Sequence, residues 1–233
     1  MQVTPINNNT NFNGSRGKSF NRFAKRIHNI HLDVIKDLTP VGQLVNQLEL
    51  RESCKIFDEI NKNVDSFMSK LHPNTEIVYE KGKKESLFSM QNPIGRCDFK
   101  LSEVTDGKVE DGVIYLIRSI PNTLSSLADF AKDLSEKVTP KDVEKAIFEN
   151  AIDKVKMNAR TEQFWLDRLL VRLHINAIFK YKDKVGVESE ITKESLLKEV
   201  NQKFLDHKIA RHNAREVERI KKQNKKTVDR YKS

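Results

Sequence analysis

From Lys193 to Lys232 the chain contains neither proline nor glycine. Nothing there obliges the backbone to leave a helix, and a single helix over the stretch would run roughly 60 Å at 1.5 Å per residue. Its distal part carries most of the chain's excess charge. From Asp206 to Ser233 there are ten basic and four acidic residues, a balance of +6 out of +9 for the whole chain.

Spacing sharpens the point. Lys208, Arg211, Arg215, Arg219, Lys222, Lys226 and Arg230 follow one another by three or four residues, so they share one helical face. Ala210, Ala214, Val217, Ile220, Val228 and Tyr231 form a thin apolar stripe nearly opposite. Two readings are open. In one, the helix is solvated and its apolar edge rests on the body of the protein or on another helix. In the other, the basic face is an arm for an anionic partner such as nucleic acid or a lipid surface. The edge lacks the Trp, Phe and Leu of a strong interfacial helix. It also makes a poor coiled-coil seam, with no Leu after Leu205 and with Asn224 interrupting it.

The low share of hydrophobic residues, 37%, against 32% charged ones fits elongated helices with disordered ends. The first 37 residues carry +4, which leaves residues 38–205 close to neutral. No apolar run is long enough to span a membrane, and the N-terminus lacks the apolar core of a secretory signal, so the cytoplasm is the expected location. Cys54 and Cys97 read as two buried, reduced thiols rather than a disulfide framework.

Residues 1–18 are rich in Asn, Thr and Gly and predict a disordered tail. A first helix is expected from Ser19, with Phe20, Phe23, Ile27, Ile30 and Val34 or Ile35 as its stripe. Thr39-Pro40 restarts a helix, and Ile56, Ile60, Val64, Phe67 and Leu71 carry the period to His72-Pro73. Between 75 and 119 the period changes to that of strands. Residues 75–81, 85–90, 96–101 and 112–118 predict a small antiparallel sheet, with 105–112 as an exposed acidic loop. Helices return after Pro121, with Asn122 as a cap. Thr139-Pro140 with Asp142 opens another helix. Residues 164–179 are apolar nearly all round and predict the central core helix, with Trp165, Leu169 and Leu173 buried. The expected fold is thus α+β and mainly helical, one domain over 19–205 with the sheet inserted between helical blocks. A basic helical extension follows over 206–233.

The search for chemistry finds little. His28 and His31 stand three apart, but no further ligand accompanies them at a telling distance, so neither a metal nor another cofactor is expected. His207 and His212 do not share a face. His174 reads as a core histidine, and no phosphate loop or nucleophile elbow occurs. Arg168 and Arg172 share a face that could hold an anion, although pairing with a neighbouring carboxylate is the better reading. These observations favour a non-enzymatic binding or scaffold protein that presents its basic terminal helix to nucleic acid or another acidic partner, without sequence readout. Two alternatives stay open: a protein–protein or self-association module, and an enzyme whose site converges from distant residues.

Overall fold

The computed structural model of the chain describes residues 14–37, 43–81, 86–102, 108–110, 113–117, 123–159 and 165–232. The fold is α+β and mainly helical, with a small sheet between helical blocks and a long C-terminal helix. In chain order the elements are β1 (Ser15–Arg16), α1 (Lys18–Asp37), α2 (Gln43–Met68), β2 (Glu76–Lys81), β3 (Ser86–Gln91) and β4 (Arg96–Ser102). There follow β5 (Lys108–Glu110), β6 (Val113–Ile117), α3 (Leu124–Lys137), α4 (Pro140–Asn158), α5 (Trp165–Val185) and α6 (Lys193–Lys232). Two compact units result. One holds the chain up to Ala151 together with Tyr181–Glu188, and the other holds Ile152–Lys180 and the chain from Ser189 onward.

The first unit contains the sheet. Among the described residues its strand order is β1-β2-β3-β4-β6-β5. The pairs β2–β3 and β3–β4 are antiparallel, as the strand pattern predicts, and so is the unexpected pair β5–β6, whereas β4–β6, expected to be antiparallel, is not. The sheet as a whole is mixed, because β4–β6 and β1–β2 pair in parallel. The cause is β5, which forms inside the stretch expected to be only a loop. It takes the edge, so β6 must return between β5 and β4. The remainder of that acidic loop lies outside the described residues, as do the Thr39-Pro40 helix start, Asn122 and residues 1–13 of the expected tail. Ser15 and Arg16, within that tail segment, are ordered as β1 beside Glu76 and Ile77.

Alternation along the strands separates an apolar face from a mainly polar one. Ile77, Phe88, Met90, Cys97, Phe99 and Ile114 are buried on one face. Phe20 of α1 and Phe130 of α3 both pack on Phe88 there, with ring centroids 5.8 and 4.3 Å away. The opposite face is polar: Ser89 donates to Asp98 at 2.7 Å, and Arg96 bridges Asp98 at 2.8 Å and Glu80 at 3.3 Å. Helix α4 closes on the β3–β4 turn, where Asn150 Oδ1 accepts from the Arg96 N–H at 3.3 Å. A Cβ on Gly95 would meet the Ile147 carbonyl at 2.7 Å, so only glycine permits that approach.

Helix starts follow from capping chemistry. Thr123, rather than Asn122, caps α3 and accepts from the Ser126 N–H. Thr139 Oγ accepts from the Asp142 N–H at 3.1 Å and donates to the Asp142 carboxylate at 2.6 Å, as the Thr-Pro-Lys-Asp spacing predicts. Thr192 and Ser195 exchange side-chain-to-backbone hydrogen bonds, each 3.1 Å long, and so open α6.

In the second unit the buried side chains include Ile152, Val155, Val171, Ile175, Ile178, Leu196, Val200 and Phe204. Lys156 of α4 bonds Glu199 of α6 at 3.0 Å, and Lys203 reaches the same carboxylate at 2.6 Å. The hydrogen bond from Lys203, aided by Lys156, holds the Glu199 carboxyl below its usual range.

Helix α5 departs from expectation. Leu169, Leu170 and Leu173 are 46%, 55% and 54% exposed, while Val171, Ile175 and Ile178 are buried. The segment is apolar on both sides, yet the unit covers only the stripe stepping through 171, 175 and 178. The side chain of Trp165 lies outside the described residues. Replacing Leu169 with Ala should accordingly cost about 1 kcal/mol or less, since only part of its apolar surface leaves water on folding. A urea midpoint shift equivalent to about 2–5 kcal/mol, the range for a buried leucine, would contradict this placement.

Candidate anion-binding site

Leu196, Val200 and Phe204 follow one another at intervals of four and are buried along one face of α6. Continued at helical intervals, the same stripe reads Lys208, Arg211 and Arg215. The core-facing side of the helix therefore becomes a basic face once Phe204 is passed. Arg168, in the first turn of α5, meets α6 at this changeover, its guanidinium carbon 5.0 Å from the centroid of the Phe204 ring.

Around this point lies a recess of about 390 Å³ lined by Arg168, Phe204, His207, Lys208, Arg211, His212 and Arg215. Four permanent cations from two helices converge on it, and no carboxylate lines it among the described residues. Among the described residues, Arg168, Lys208, Arg211 and Arg215 make no ion pair with a carboxylate. Their charges are exposed and unpaired among the described residues, which favours a local positive potential able to gather anions. His207 Nε2 is shielded from solvent and has no hydrogen-bond partner among the described residues.

Further along, Arg215, Glu218, Arg219, Lys222 and Gln223 line a second, shallower recess. Here cations are paired within the helix, Lys222 with Glu218 at 2.9 Å and Arg219 with Glu216 at 3.5 Å. The hydrogen bond from Lys222 holds the exposed Glu218 carboxyl below its usual range.

The seven basic residues expected on one face thus divide. Lys208, Arg211 and Arg215 form the uncompensated recess, and Arg219 and Lys222 are partly neutralised. Lys226 and Arg230 belong to the helix, but their side chains lie outside the described residues. Arg168 joins the recess with its guanidinium over the Phe204 ring and has no carboxylate partner among the described residues, whereas exposed Arg172 is not among the lining residues. His207 and Phe204 are contributors that spacing between basic residues does not reveal. The signal for them is the apolar stripe, which runs directly into the basic one.

The thin apolar edge of α6 is uncovered, with Val217 and Ile220 about half exposed. Of the thiols, Cys97 is buried and Cys54 is exposed, which corrects the expectation that both are buried. Burial, with Asp98 close by, pushes the Cys97 thiol far above its ordinary range. His28 is a core histidine stacked on Phe57 at 4.3 Å. Among the described residues no three His, Cys, Asp or Glu side chains gather as metal ligands, and no helix is long and apolar enough to cross a membrane.

No protein-family model, curated protein or solved structure matches the chain.

Proposed function

We propose that this chain is a non-enzymatic, cytoplasmic binding protein that holds a polyanion, with nucleic acid the first candidate, against the basic face of α6. The observation that carries the reading is the convergence of Arg168, Lys208, Arg211 and Arg215 on one recess that no carboxylate lines among the described residues. Arginine suits this task because its fork of N–H donors matches phosphate oxygens in pairs. Such contacts position a backbone and read no sequence. The two free thiols fit a reducing compartment.

The test is affinity for generic duplex DNA and for RNA across a series of salt concentrations. Each phosphate neutralised on duplex DNA contributes about 0.9 to the log–log slope, so replacing Lys208, Arg211 and Arg215 together with Gln should flatten the slope by roughly 2.7. Thermal stability should barely change, because these side chains are exposed. Negligible wild-type binding at low salt defeats the reading. An unchanged slope in the variant moves the contact elsewhere, first to the basic N-terminal stretch around Arg22, Lys25 and Arg26.

A second reading, self-association or docking of a partner protein, is favoured by the exposed apolar residues Leu205, Ile209, Val217 and Ile220 on α6. Sedimentation of the protein alone separates the two. Self-association without nucleic-acid binding selects the second.

A further inference from the structure

Four cations without a carboxylate partner among the described residues meet in one concave place, where Arg168 of α5 adds a fourth to Lys208, Arg211 and Arg215. One turn further on, the cations already have glutamate partners in the helix. A strand bound by its internal backbone alone presents a single charge per phosphate and has no need of four cations around one point. A terminal phosphoryl group carries about −1.5 to −2 at neutral pH, and adjacent phosphates concentrate more.

Three further features suit such a group. The recess, about 390 Å³, falls at the lower end of the volumes that small ligands occupy, roughly 300–1,000 Å³. Arg168 is held in place by its stack on the buried Phe204 ring, so its fork is oriented before a ligand arrives. His207, which lines the same recess, has a ring nitrogen without a hydrogen-bond partner among the described residues. Buried polar atoms are normally satisfied, and a phosphate oxygen would accept from this one in its N–H form.

We propose that the recess formed by Arg168, His207, Lys208, Arg211 and Arg215 is a clustered-phosphate subsite. It takes a di- or triphosphate group, free or at the 5′ end of a strand, in preference to an internal phosphodiester. This rests on the reading of the α6 basic face as an anion-binding surface and specifies which phosphates that surface selects.

The experiment uses the full chain and three probes: inorganic tripolyphosphate, an RNA oligonucleotide with a 5′-triphosphate, and the same oligonucleotide with a 5′-hydroxyl. Fluorescence anisotropy measures the strands, and calorimetry measures tripolyphosphate. The triphosphate strand should bind at least about tenfold tighter than the hydroxyl strand, about 1.4 kcal/mol, and tripolyphosphate should displace it. Arg168→Gln should bring the ratio of the two strand affinities to within about twofold of unity. Should that variant lose its fold by circular dichroism, Lys208→Gln, at an exposed position, serves instead and should lower the ratio in the same direction. Equal binding of the two strands by the wild type overturns the subsite while leaving the polyanion reading intact. An unchanged ratio in a folded variant also overturns it. Tripolyphosphate binding with no strand binding retains the subsite and removes the strand as its source. No binding of any probe at low salt overturns both readings.

Discussion

Replacing Phe88 with Ala is expected to destabilise the protein by about 3–5 kcal/mol, toward the upper end of that range. Phe88 is 1% exposed and sits on β3, beside Tyr79 of β2, where α1 and α3 meet the sheet. Its ring lies 5.8 Å from those of Phe20 and Phe23, 5.5 Å from Tyr79 and 4.3 Å from Phe130. Removing it loses the transfer term, leaves a cavity among four aromatic neighbours and forfeits the ring–ring pairings, each about 0.5–1.5 kcal/mol beyond area burial. Because whole domains are stable by only about 5–15 kcal/mol, the variant should be marginal at 37 °C. Urea denaturation with the slope unchanged is the measurement. A loss below about 2 kcal/mol would show that the aromatic cluster is not the centre of the first unit's core.

The second large effect concerns Glu144 and pH. This carboxyl is 5% exposed on α4. Its Oε1 accepts the His72 backbone N–H at 2.5 Å, and its Oε2 accepts from the Tyr181 hydroxyl. Burial pushes its pKa up to about 7, against the pull of the His72 N–H. In the unfolded chain the group returns to about 4.5. The folded state thus binds the proton more tightly, so this contribution is fully present below about pH 4.5 and is lost as pH rises through about 7. The loss is on the order of 3 kcal/mol. His72 acts in the opposite sense. Burial lowers its pKa, so its contribution is lost as pH falls through the usual histidine range. Comparison of wild type with Glu144→Gln separates the two groups. The variant should lack the loss between pH 5 and 8, and the wild-type minus variant difference should grow more unfavourable with pH. Parallel stability profiles for the two proteins would mean that Glu144 does not carry this proton on folding.

Neither effect could be assigned from sequence. The periodicity of α1 and the alternation of β3 mark Phe20 and Phe88 as apolar and inward, but their meeting depends on how helix and sheet stack. Alternation specifies which face a strand residue occupies, not which strand lies beside it. For that reason four strands were legible, while the insertion of β6 between β4 and β5 was not. His72, Glu144 and Tyr181 are separated by 72 and 37 residues. No local pattern joins them, and Glu144 reads as one more charge in the first turns of a well-capped helix.

The limits of α6 were fully legible because they depend on local chemistry, a Thr192 cap and the absence of proline and glycine. The spacing of Lys208, Arg211 and Arg215 was legible for the same reason. Coverage was not. Leu169 and Leu173 have the composition of core residues but lie on the side of α5 that the unit leaves open. Arg168 was readable as an anion ligand, although its approach to Phe204 depends on the pairing of two helices.

The changeover at Phe204 also determines the rotational phase of the arm. Because α6 is one uninterrupted helix, Leu196 and Val200, gripped in the core, dictate the compass bearing of every side chain beyond them. One residue inserted after Leu205 would swing the distal face by about 100° and carry Lys208, Arg211 and Arg215 away from Arg168. Seven inserted residues would restore the bearing to within about 20° and merely lengthen the lever. The anchored half therefore acts as a keyed shaft, and what the arm presents depends on length in steps of whole turns.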